Sequence, residues 1–124
     1  MDAAAHRDRA RRIRASLAKW DDGADVEAVV EGAMHVSTHL LNAILHERGL
    51  TPPAADLIHS DMPPPPDPVP DDLGPALAEL EWIEGLRAFY VRGSEDAPPG
   101  TGERCRRACG LFERLGDGPA GGPG

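Results

Sequence analysis

Six of the eight residues from Pro63 to Pro70 are proline. Each proline removes a backbone donor and fixes φ, so neither a helix nor a sheet ladder accommodates such a run. This stretch must be an extended polyproline connection, and the chain folds as whatever lies on either side of it. The remaining glycines and prolines cluster mostly at the chain ends and in loops. Long stretches nearly free of breakers are left, and they read as helices. Aromatics are confined to Trp20, Trp82, Phe89, Tyr90 and Phe112 in 124 residues. A core of Leu, Ile, Val and Ala in one domain of this size favours packed helices over a sandwich or barrel.

Asp2 is placed to cap a first helix over 3–20, in which Ile13, Leu17 and Trp20 recur at steps of four and three before Asp21-Asp22-Gly23 breaks it. A second helix runs from about Asp25 to Arg48 and stops at Gly49. Thr51-Pro52-Pro53 can open a short helical turn within 50–58. A third helix spans about 71–91, with Leu73, Leu77, Leu80, Ile83, Leu86 and Tyr90 in register. A fourth, 102–115, turns Cys105, Cys109, Phe112 and either Leu111 or Leu115 inward. The expected fold is all-α: a four-helix bundle over 1–115, with a proline-rich strap (61–70) between helices 2 and 3. Residues 116–124 form a Gly/Pro-rich tail expected to be disordered.

A net charge of −8 opposes generalised nucleic-acid binding. The first helix is the exception, with five arginines and Lys19 against Asp2 and Asp8. It is either a solvated face or a surface that steers phosphates and acidic partners. No run has the length of a membrane span or the apolar segment of a signal peptide. Cys105 and Cys109, four apart on one helix face, suit reduced thiols better than a bridge, so a cytoplasmic location is expected. Arg104, Arg106 and Arg107 beside them would favour thiolates, which leaves a redox role open against a structural one.

Helix 2 is the unusual element. On a helical wheel Val26, Val30, Ala33, Leu40, Leu41 and Ile44 form the core stripe, flanked by Val29 and Val36. Opposite them lie Ala28, Glu31, Gly32, His35, His39, Asn42 and His46, a face with one fixed charge, three of the five histidines and the only asparagine. Three readings compete. The face is simply polar, toward solvent or another helix. Or it lines a homodimer interface or a nucleotide-sized cleft, Ala28 and Gly32 permitting close approach. Or it holds a divalent metal, with His35 and His39 as ligands one turn apart and Glu31 or His46 as a third. Asn42, between histidines, can orient His39 or His46. His59 either anchors the strap or folds back to the head of this ladder.

The run His39-Leu40-Leu41-Asn42-Ala43-Ile44-Leu45, then Arg48-Gly49-Leu50 and His59-Ser60, resembles the HEPN domain superfamily, with Leu86-Arg87-Ala88-Phe89-Tyr90 similar to a later segment of that domain. The resemblance covers about residues 26–92. It implies a small helical bundle, commonly dimeric, of a kind found in toxin–antitoxin pairs, nucleotidyltransferase partners and RNases. Catalytic members carry an arginine four to six residues before the active histidine; here Ala33, Met34 and His35 stand before His39. The resemblance therefore implies a non-catalytic or differently catalytic member. The expected function is a dimeric binding or regulatory module that uses His35, His39, Asn42, His46 and His59 toward a nucleotide, RNA or partner protein. The alternative is a divergent RNase, with His39 as base and His35 or His46 as acid, or a metal-dependent hydrolase.

Overall fold

The computed structural model describes residues 1–57, 70–91, 93 and 95–117. Among them the chain is helical and contains no strand: α1 (Ala3–Leu17), α2 (Val26–Glu47), α3 (Gly74–Leu86) and α4 (Thr101–Asp117). The expected four-helix bundle is the observed fold. The greater part of the strap, His59 and the tail beyond Asp117 lie outside the described residues.

Asp2 caps α1 as its sequence suggests, its carboxylate accepting from the Ala5 N–H at 2.8 Å. The helix ends three residues earlier than expected. The N–H groups of Lys19 and Trp20 reach back only three residues, to Ser16 and Leu17, which tightens the last turn. Arg106 of α4 adds donors at this end, to Leu17 O and Trp20 O at 2.8 Å each, while its Nε donates to Asp22. α2 closes at Gly49, whose φ of +72° is open to glycine at little cost. The Leu50 N–H bonds Leu45 O and the Gly49 N–H bonds His46 O, the paired pattern that ends a helix and turns the chain away.

α2 packs against α1, α3 and α4. Its expected core stripe is buried, from Val29 and Val30 to Leu41 and Ile44. The opposite face is partly covered as well. Gly32 sits under Trp20 and Leu17 of α1; a Cβ there would meet the Trp20 ring at 3.1 Å and Leu17 at 3.2 Å. The close approach that Gly32 permits is thus used within the chain. Asn42 and the His46 side chain are buried too.

After Gly49 the expected helical turn shrinks to one reverse turn, Ala55 N–H to Pro52 O. Asp56 and Leu57 then lie back along α2, because Asn42 binds the Leu57 backbone. The single helix expected over 71–91 is three pieces: a tight turn at Asp71–Leu73, α3, and a widened turn at Arg87–Val91. Leu73, Ala76, Leu80, Ile83 and Leu86 are its buried stripe. α4 buries Cys105, Ala108, Cys109 and Phe112. No helix among the described residues is long and apolar enough to cross a membrane.

Candidate metal centre

His6 occupies the α1 stripe four residues before Ala10, where helical periodicity aims it at α2. There it meets the foot of the histidine ladder. Its Nε2 lies 2.7 Å from Asp56 Oδ1, and His46 Nε2 lies 2.8 Å from the same oxygen. His6 Nδ1 faces His39 Nδ1 at 2.9 Å. His46 Nδ1 lies 2.7 Å from the Thr51 hydroxyl and 3.2 Å from the Thr51 carbonyl. Three elements converge here: α1, the end of α2 and the segment returning from it. The imidazoles of His6 and His46 are only 3% and 2% exposed, while Asp56 keeps 29%.

Burial on its own would raise the Asp56 pKa, but hydrogen bonds from His6, His46 and the Met1 amino group outweigh it and hold the carboxyl well below the usual range. Asp56 is therefore a pure acceptor, and the Nε2–H groups of His6 and His46 donate to it. His6 Nδ1 and His39 Nδ1 share a further hydrogen bond, as do His46 Nδ1 and the Thr51 hydroxyl. Desolvation, then the positive charges of His6, His35 and Arg9, push the His39 pKa down to about 4, so its ring is neutral near pH 7. His39 borders a cleft of about 180 Å³ together with His6, His35, Thr38 and Asp56.

The donor set expected from sequence does not assemble. Glu31 is paired with Arg87 at the end of α3. His35, 44% exposed, stands 4.0 Å from Glu31 at the cleft rim. Among the described residues the histidines, cysteines and carboxylates that meet closely enough to hold an ion are His6, His46 and Asp56, with donor atoms all within 4.8 Å. Histidines a turn apart on one helix can share an ion, but among the described residues His35 and His39 gain no third donor, whereas His6, His46 and Asp56 come together from three elements. Asn42 does not orient a histidine either. Its Oδ1 accepts from the Leu57 N–H at 2.7 Å, and its Nδ2 donates to Leu57 O at 2.9 Å and to Thr38 O at 3.0 Å. It builds the site indirectly, by fixing the segment that carries Asp56. The α1 stripe extended backwards points to His6; nothing local distinguishes Asp56 from other loop carboxylates.

The cysteines are free, and burial pushes Cys105 up to about 12 and Cys109 up to about 11. The thiolates that neighbouring arginines would favour do not form. Arg106 is spent on Asp22 and the end of α1, and Arg104 on Glu79 and the Trp82 ring. Two wider grooves, about 500 Å³ and 670 Å³, border α4 and are lined largely by arginines, among them ones paired with Glu79, Glu47 and Glu113. The chain matches no protein-family model, no curated protein and no solved structure.

Proposed function

We propose that this chain is a small metal-binding module in which His6 Nε2, His46 Nε2 and an Asp56 carboxylate oxygen hold one divalent first-row ion. The observation that carries the reading is the convergence of two buried imidazole nitrogens on one ionised carboxylate oxygen from three separate elements. Two histidines and one carboxylate suit Zn(II), Co(II), Ni(II) or Fe(II), and three protein donors leave a coordination position for water or substrate. Donors around a tetrahedral zinc stand about 3.3 Å apart given Zn–N distances near 2.05 Å. The present 2.7 and 2.8 Å spacings need to open by roughly half an ångström.

The outer nitrogens support this reading. A histidine that ligates through Nε2 must place its proton on Nδ1 and give it to an acceptor. His46 Nδ1 already has the Thr51 carbonyl within reach, and His6 Nδ1 faces His39 Nδ1, which accepts when His39 carries its proton on Nε2. Both outer partners serve either proton arrangement.

The nucleotide- or RNA-binding role implied by the HEPN resemblance would use the same cleft, whose volume suits a phosphate group better than a whole nucleoside. A homodimer, in turn, would need a face other than Gly32 and Asn42.

Calorimetric titration with zinc and cobalt tests the reading. One ion per chain is expected, with affinity reduced at least tenfold in His6→Ala, His46→Ala and Asp56→Asn and largely retained in His35→Ala. Equal binding by all four variants, or no binding by the parent chain, refutes it.

A further inference from the structure

The groove of about 500 Å³ between α3 and α4 is lined by Glu79, Arg104, Arg107, Ala108, Leu111 and Arg114, none of which belongs to the metal centre. We infer that this groove binds a phosphate ester carrying a planar ring, with Arg107 and Arg114 on the phosphate and Arg104 under the ring.

Steps of three and seven residues keep Arg104, Arg107 and Arg114 on one side of α4, with Leu111 between the last two. Carboxylates outnumber Lys and Arg by 21 to 13 in this chain. Arg107 and Arg114 are nonetheless exposed and, among the described residues, have no ion-pair partner. A Cβ on Gly110 would stand 3.3 Å from Arg114 Nη1. The Arg114 guanidinium therefore folds back along α4, to within about 4.5 Å of helix rise from Arg107. Three arginines and one glutamate leave the groove with a positive balance. An oxyanion with several acceptor oxygens matches two adjacent guanidinium forks, because each fork presents paired, permanently charged donors.

Arg104 is used differently. Its Nε and Nη2 donate to Glu79 at 3.0 Å each, and its Cζ stands 3.8 Å over the Trp82 ring. With one face on that ring and these donors engaged, the side chain is still 43% exposed and borders the groove. A guanidinium fixed in this way is a flat platform on which a further planar ring stacks. Ala108 and Leu111 supply an apolar floor between the platform and the two unpaired arginines. From Arg104 to Arg114 the helix rises about 15 Å. The groove volume falls in the usual range for small-molecule sites, unlike the 180 Å³ cleft beside His39. The overall charge of −8 repels long polyanions, which favours a ligand with one or two phosphates over a nucleic-acid strand.

The test uses the full chain free of divalent ions, with ADP as the probe. Calorimetry should show one ADP per chain. Arg107→Ala and Arg114→Ala should each weaken it about tenfold, the value of one charge-assisted hydrogen bond. Arg9→Ala, which removes an exposed arginine outside the groove, should leave it unchanged. Arg104→Lys keeps the charge and loses the plane, so it should weaken ADP by about threefold and leave inorganic pyrophosphate, which has no ring, unaffected. Failure of ADP to bind, binding indifferent to Arg107 and Arg114, or an equal loss in Arg9→Ala overturns the inference. An Arg104→Lys loss shared by pyrophosphate overturns it as well, as does single-stranded RNA that outcompetes ADP through the same arginines. None of these outcomes bears on zinc binding at His6, His46 and Asp56.

Discussion

Asn42 grips the backbone of Leu57 at both ends, its Oδ1 accepting from the Leu57 N–H at 2.7 Å and its Nδ2 donating to the Leu57 carbonyl at 2.9 Å. The target of this two-point clamp lies fifteen residues along the chain and directly follows Asp56. Replacement of Asn42 by Ala removes the partner of both the N–H and the C=O of Leu57. A loss of about 2–4 kcal/mol is expected from two unsatisfied backbone groups. Urea denaturation measures it, and a change below about 0.5 kcal/mol would mean that the segment finds other partners. Zinc affinity should fall in parallel, because Asp56 loses its fixed approach.

Gly32 marks the tightest contact between α1 and α2. Its substitution by Leu drives a side chain into Trp20 and Leu17, which already stand 3.1 and 3.2 Å from the position of a Cβ. Overpacking there should cost about 1–3 kcal/mol despite the better helix propensity. A Gly32→Leu, Trp20→Ala double variant should recover part of the loss. Additive effects in thermal melts would argue against direct contact.

Acid should weaken the fold through surface carboxylates whose partners hold their protons off. Hydrogen bonding from Arg48 lowers the pKa of Asp72, hydrogen bonding from Arg7 that of Glu47, and the backbone N–H groups of Ala24 and Gly23 that of Asp21. A carboxyl with a lower pKa in the folded state stabilises fully above its unfolded value and loses that contribution as pH falls through the folded value. Stability should therefore be flat in these groups above about pH 5 and decline below pH 4, the ordinary range for Asp and Glu. Asp72→Asn should make the acid limb shallower. The effect is small because these groups are solvent-screened. An acid limb unchanged in Asp72→Asn together with Glu47→Gln would assign acid sensitivity elsewhere.

Both thiols should be inert in the native state. Cys105 and Cys109 are buried and hold their protons to about 12 and 11. At pH 8, alkylation should proceed only as fast as the chain opens and should accelerate by orders of magnitude in denaturant. Rapid labelling of either cysteine in native buffer would show that α4 opens separately from the bundle. Mass spectrometry of peptides from a time course distinguishes the two cases.

Much of the architecture was legible in the residues because it is local. Capping by Asp2, termination at Gly49 and the three- and four-residue apolar steps of all four helices depend on neighbours within a few turns, so the four helices are present where periodicity puts them, although the first ends three residues early and the third is broken at both ends. The same periodicity singled out His39 and His46. It left their face open between solvent, another helix, a cleft and a metal, because a helical wheel has no knowledge of which neighbours a helix will have. Gly32, Asn42 and the His46 side chain are covered, while His35 keeps 44% of its side chain exposed. His6 was within reach of the pattern, since it continues the Ala10, Ile13 and Leu17 stripe, but one histidine on an apolar face does not by itself name a partner. Asp56 was not within reach. Its role exists only because Asn42 folds the segment after Gly49 back along α2, and a hydrogen bond between residues fifteen apart leaves no local periodicity. Sequence determined which side chains could do chemistry and which helices carry them; the packing of α1 and the returning segment on α2 decided which of those side chains meet, since bringing three donors to one point takes directions that no single helix supplies.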